Sequence, residues 1–265
     1  MKQRIITAII AAAIFIPIVI YGNLPLVILS YLMGTVALYE LLKMRKMSIF
    51  SFQGIISLIL LWIILVPKQY IKVIENLGYT KLEYIFIAIL IFLILTVVTK
   101  NKTTFDDISF LLLTILYVGM GFYYFVETRS SESGLTYILY SLFIIWATDS
   151  GAYFIGRAMG KNKLWPEISP NKTIEGALGG IICAIIVGIL FFIFSDINIS
   201  IIKLLIVSAI LAVFGQLGDL VESAYKRHYQ VKDSGTILPG HGGILDRFDS
   251  LLFVWPLINL LHLVN

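Results

Sequence analysis

The sequence predicts an all-α, polytopic integral membrane protein of about nine transmembrane helices, with a cytoplasmic N-terminus and the C-terminus outside. Three observations predict it. Apolar runs of about 18 residues or more recur along the chain, the length a helix needs to cross hydrocarbon. The 265 residues are 59% hydrophobic and only 14% charged, where an ordinary soluble domain is about 25% charged. The lysines and arginines are segregated by side: with the N-terminus inside, only Lys68, Lys72, Lys81, Arg129 and Lys203 of the 20 fall outside. A transmembrane β-barrel would read as short alternating strands, and the chain shows long runs instead.

The first span is expected over about Ile5 to Tyr21, after the basic residues Lys2 and Arg4. It has no clear small-x-small cleavage site and reads as a retained helix. Gly22 to Pro25 turns the chain into a second span, about Leu26 to Leu42, which Lys43, Arg45 and Lys46 stop. A short third span, about Phe52 to Val66, ends at Pro67. The mixed segment Lys68 to Lys81 has room for a short interfacial helix. The fourth span is about Leu82 to Val98 and the fifth about Phe105 to Val126. Glu127 to Gly134 turns the chain into the sixth, about Leu135 to Ile155. A basic loop covers Gly156 to Lys172. The seventh span is about Thr173 to Phe194, the eighth about Ile201 to Tyr225 and the ninth about Ile244 to Val264. Residues 1–103 read as scaffold; Glu40 and Glu83 are the acidic residues in its spans, each near a helix end where it is expected to reach water. Residues 104–265 carry the chemistry, within one integrated membrane domain.

Between Ser223 and Asp249 the chain changes character, gathering Lys226, Arg227, Lys232, Arg247, three aspartates, two histidines and four glycines. On the eighth span Gln216, Asp219, Glu222, Ser223 and Lys226 share one helical stripe. A carboxylate there needs a watery cavity, a cation or a metal. A structural pair of Glu222 with Lys226 at i, i+4 would account for part of it. Asp246 and Asp249 open the ninth span on one face, around Arg247. The helix dipole favours acids at that end, which explains one of them. The glycines Gly235, Gly240, Gly242 and Gly243 would let backbone N–H groups and the helix N-terminus approach a phosphate; a flexible loop with no ligand would carry the same glycines.

A second polar block runs from Asp149 to Gly176 and falls on the same predicted side. Asp149 lies deep in the sixth span, where a bond to a neighbouring Ser or Thr is the alternative to a functional role. Ser169-Pro170 reads as an N-cap followed by proline at the first helical position. Lys172 would then oppose the helix dipole unless an anion binds there. Gly156 to Lys161 lacks the spacing and the Ser/Thr of a phosphate-binding P-loop. Gly176, Gly179 and Gly180 read as a packing face. The lone Cys183 excludes an internal disulfide, and no histidine cluster suggests zinc.

Acids with cations suit a divalent metal and a polyphosphate together. Cations alone would suggest lipid headgroups, and acids alone an ion path. The residues point to phosphoryl or nucleotidyl transfer.

The order and spacing of Ser223, Lys226, Arg227, Lys232, Asp233, Pro239, Gly240, His241, Gly242, Gly243, Asp246, Arg247 and Asp249 closely resemble the signature of the phosphatidate cytidylyltransferase (CDP-diacylglycerol synthase) family. The block of Asp149, Gly156, Lys161, Ser169-Pro170, Lys172-Thr173 and Glu175-Gly176 resembles that family's second shared segment. The resemblance is specific over about Asp149 to Asp249. It implies transfer from CTP to phosphatidate, giving CDP-diacylglycerol and pyrophosphate with Mg²⁺ (K⁺ is associated with a second metal position). It implies a homodimer in the cytoplasmic membrane, with no nucleic-acid partner. By position, Asp219 and Asp246 would be metal ligands. Asp219, Asp246, Asp249, Lys226 and Arg247 would be catalytic. Asp149, Lys172, Thr173, Glu175, Glu222, Ser223, Arg227, Lys232, Asp233, Gly240, His241, Gly242 and Gly243 would bind substrate. A cation-coupled transporter and a CTP-dependent polyprenol kinase are the competing expectations.

Overall fold

The structure is a computed structural model that describes residues 2–197 and 199–264. The side chains of Lys2 and Arg4, counted above on the inner side, lie outside what it describes. The helices, in chain order, are α1 (Lys2–Tyr21), α2 (Asn23–Met44), α3 (Phe52–Leu65), the single turn α4 (Lys72–Glu75), α5 (Lys81–Val98), α6 (Phe105–Ser130), α7 (Gly134–Met159), α8 (Ile174–Phe194), α9 (Ile201–His228) and α10 (Leu245–Leu260). Apart from α4, each answers to one expected span. Six of them, α2 and α5 to α9, are long and apolar enough to cross a membrane. The protein is a multi-pass helical membrane protein.

Local chemistry sets the breaks. Pro67 cannot donate a backbone hydrogen bond; there the chain bends by 100° between α3 and the Lys68–Glu75 segment. Thr80 with Glu83, and Thr104 with Asp107, form capping boxes at the starts of α5 and α6, satisfying N–H groups that a helix start leaves open. Glu83 is solvent-exposed, as expected, but Glu40 is not. It is only 2% exposed, because α2 runs beyond its expected end and presents this side chain inward, toward the start of α10.

The predicted loop between the sixth and seventh spans is not irregular. It contains a β-hairpin, β1 (Lys163–Trp165) paired antiparallel with β2 (Ser169–Thr173). Ser169-Pro170 is therefore not a helix cap. Thr173 takes that role, its hydroxyl accepting the Gly176 N–H at 3.1 Å. Pairing of β2 with Lys163–Trp165 holds Pro170 extended, a conformation that its fixed φ permits.

α10 is short but central, packed against α6, α7 and α9. Its Trp255 is fully buried, stacks on Phe125 at 4.2 Å and donates to Ser141 Oγ at 3.2 Å. Burial on its packed face stabilises the helix without the length a lipid-facing span needs. α7 and α8 are joined by their small residues. A Cβ on Gly176 or Gly180 would stand 2.7 Å from the carbonyl oxygen of Ala152 or Thr148, which confirms the expected packing face.

The helix ends sort into two sets. At one end Arg45, after α2, donates to Asp107 of α6 at 2.7 Å and to the Tyr229 hydroxyl, after α9, at 3.3 Å. At the other, Arg129 of α6 donates to the Val19 carbonyl of α1 at 2.6 Å, and Asn259 of α10 donates to Thr128 of α6 at 2.8 Å. The hairpin and the 229–244 loop both belong to the Arg45 end, because they follow α7 and α9.

Candidate active site

α9 carries two half-sites on adjoining faces, because it packs against α8 on one side and α10 on the other. Toward α8, a cavity of about 420 Å³ is lined by Asp149 of α7, Lys172 and Thr173 of the hairpin, and Gln216 and Asp219 of α9. Lys172 Nζ lies 2.7 Å from Asp219 Oδ2, and Ser223 donates to Asp219 Oδ1 at 3.3 Å. Lys172 is thus presented by β2 rather than by a helix start. The Asp219 carboxylate balances its charge. Asp149 is open to the cavity, not bonded to a neighbouring Ser or Thr.

Toward α10, Lys226 bridges two carboxylates, 2.5 Å from Glu222 and 2.9 Å from Asp246. Glu222 is 2% exposed and Asp246 6%. The expected i, i+4 pair therefore exists, with Asp246 as a third member. Asp246 Oδ2 also accepts from Ser234 N, Ser234 Oγ and Gly243 N, each at 2.8 Å. Oxygens held by so many donors are fixed in place.

The sequence of this chain matches a protein-family model described as the cytidylyltransferase family over residues 2–264. The chain belongs to the cytidylyltransferase family. It is 55% identical over 259 residues to a phosphatidate cytidylyltransferase of Bacillus subtilis, covering 97% of this chain and 96% of that one. Against the Staphylococcus haemolyticus protein of that name it is 52% identical over 261 residues, with 98% of each chain covered. Against the Staphylococcus aureus one it is 50% identical over 264 residues, again with 98% of each covered.

In this cytidylyltransferase the remaining predicted residues stand around the two half-sites in different settings. Glu175 accepts from Asn162 Nδ2 at 2.8 Å and from the N–H groups of Lys161 and Asn162 at 3.2 Å; it fastens the hairpin to the start of α8 and does not line the cavity. Arg227 donates to the Ile168 carbonyl at 3.2 Å, tying the hairpin tip to the end of α9. Lys232 and Asp233 stand exposed at the start of the loop. Arg247 donates to the His241 carbonyl at 3.0 and 2.7 Å, and His241 Nδ1 is buried without a partner among the described residues. Gly240 and Gly242 take positive φ of 77° and 88°, where glycine carries no steric penalty. Asp249 accepts from the Ser250 N–H at 2.8 Å.

The expected phosphate nest at the start of α10 is closed. The Gly243 N–H is held by Asp246, those of Ile244 and Leu245 by Glu40, and that of Asp246 is directed at Ser234. Sequence reasoning missed Glu40 because its partners lie 204 and 205 positions away. Its one local sign was an acid within an otherwise apolar helix.

α9 and α10 touch closely at Gly218, where a Cβ would stand 2.7 Å from the Asp249 carbonyl oxygen and 3.0 Å from Ser250 Cα. Gly218→Ala is expected to push the two helices apart, costing about 1–3 kcal/mol and lowering turnover. Thermal unfolding in detergent beside an activity assay checks both.

Among the described residues, no three His, Cys, Asp or Glu side chains form a metal cage. Mg²⁺ does not require one, since it takes one or two carboxylates, waters and substrate phosphates. Asp219 fits this pattern. It lines the cavity beside Asp149, and its charge is balanced by Lys172. Asp246 can contribute Oδ1, the oxygen that Lys226 holds, because its Oδ2 is fully engaged.

Proposed function

We propose that this protein transfers the cytidylyl group of CTP to phosphatidate, giving CDP-diacylglycerol and pyrophosphate, at a site open to the cytoplasm. One observation carries the reading. At the end of the bundle that carries the hairpin and the 229–244 loop, α9 takes part in two carboxylate–lysine pairs, Asp219 of α9 with Lys172 of β2 and Lys226 of α9 with Asp246 of α10. Such paired charges suit a metal-bound polyphosphate, and the family relationship supports CTP and phosphatidate as the substrates. A phosphatidate phosphate oxygen attacks the α-phosphorus of CTP, the α–β bridging bond breaks and pyrophosphate leaves.

The protein's work is positioning and charge neutralisation, as in phosphoryl transfer generally. Lys172 and Lys226 turn from their carboxylates to the phosphates. Arg227, beside the hairpin tip, and the exposed Lys232 draw the anionic substrates in. Asp219 and Asp246 would hold Mg²⁺, which supplies the charge neutralisation that polyphosphate chemistry needs; K⁺ would occupy a second position. Asp149 and Asp249 complete the acidic surround. The protein sits in the plasma membrane, works as a homodimer and engages no nucleic acid. Nine crossings with the N-terminus inside are supported by the sorting of helix ends and by the lysine and arginine bias.

The test is a product assay with purified protein in detergent, phosphatidate, Mg²⁺ and CTP labelled at the α-phosphate. Label is expected in the lipid, with unlabelled pyrophosphate released. Release of labelled CDP, or no transfer of label, would contradict the reading.

A further inference from the structure

Glu40 belongs to α2, in the part of the chain that carries no signature residue, yet its carboxylate is built into the start of α10. Oε1 accepts the Ile244 N–H at 2.9 Å, and Oε2 accepts the Leu245 N–H at 2.9 Å. Ser234 Oγ lies 3.1 Å from Glu40 Oε2 and 2.8 Å from Asp246 Oδ2, so one hydroxyl links the two carboxylates. α10 has no side-chain cap of its own at Ile244. The glycines respect the same group: a Cβ on Gly235 would stand 2.5 Å from Glu40 Oε1, and one on Gly243 would also collide with it. These two glycines make room for a side chain of the protein rather than for a ligand.

A helix N-terminus with free N–H groups attracts an anion. Here the anion is supplied from α2. We propose that Glu40 is a positioning residue for the transfer reaction, an internal anion that occupies the start of α10 and fixes Asp246 opposite Lys226. It keeps that N-terminus from capturing a substrate phosphate, so the phosphates go to the lysines. The inference rests on Asp246 belonging to the active site.

Glu40→Ala leaves a carboxylate-sized space. Its kcat is expected to fall about 10- to 100-fold, as for residues that orient a reacting group, with KM for CTP nearly unchanged. Added formate is expected to restore much of the loss by refilling the space, an effect that a packing role would not show. Glu40→Gln keeps the shape but loses the charge and one acceptor. It is expected to lose activity similarly, gain nothing from formate, and exchange the Ile244 and Leu245 amides with deuterium faster than the parent. Wild-type kcat in either variant, or protected amides in Glu40→Gln, would overturn the proposal. So would a Glu40→Ala that folds but ignores formate. Asp246→Asn in parallel separates the failures: if it is inactive while the Glu40 variants are active, only the Glu40 inference falls; if it is active, the placement of Asp246 falls first.

Discussion

Asp246→Asn is expected to lower kcat by at least about 100-fold, on the scale of losing a group that stabilises developing charge. The carboxylate uses both oxygens, Oδ1 for Lys226 and Oδ2 for Ser234 and Gly243. An amide has one acceptor. If its oxygen keeps the three donors at Oδ2, its NH₂ faces the Lys226 ammonium. If it flips, the loop loses its anchor. In either orientation the charge that would hold Mg²⁺ is gone, and the Mg²⁺ concentration for half-maximal rate is expected to rise about tenfold or more. A Mg²⁺ titration of initial rates checks both effects. Near-parental activity at limiting Mg²⁺ would show that Asp246 is not a metal ligand.

Lys226→Met is expected to be the most destabilising single change at the site. It strips the shared cation from Glu222 and Asp246, which are 2% and 6% exposed. Glu222 Oε1 already lacks a hydrogen-bond partner among the described residues. Removing one partner of a buried ionic group costs about 3–5 kcal/mol, so the unfolding midpoint in detergent should drop sharply and activity should disappear. Adding Glu222→Gln removes one of the two uncompensated charges. The double variant is expected to recover much of the stability and none of the activity. Equal midpoints for Lys226→Met and the parent would mean that the trio does not hold α9 to α10.

These expectations draw on features of unequal legibility. The helices were readable because each buries or exposes a continuous apolar run, and the break after α3 was readable because Pro67 has no N–H to give. The acidic and basic residues of the site were readable because charge is costly in a membrane span. The pairing of those residues was not. Lys172 meets Asp219 only because a hairpin forms where Ser169-Pro170 mimics a helix cap. The glycine-rich loop looked like a phosphate nest, since sequence cannot show that Glu40 and Asp246 already hold its N–H groups. Non-local contacts of this kind leave no spacing to read.

We propose that CTP binds between the Asp149–Gly176 block and the Ser223–Asp249 block. The most direct test is photo-crosslinking of a photoreactive CTP analogue to the purified protein with Mg²⁺, followed by peptide mapping. Labelled peptides are expected from both blocks, with labelling competed away by CTP. Labelling confined to residues 1–103, or unaffected by excess CTP, would contradict the account.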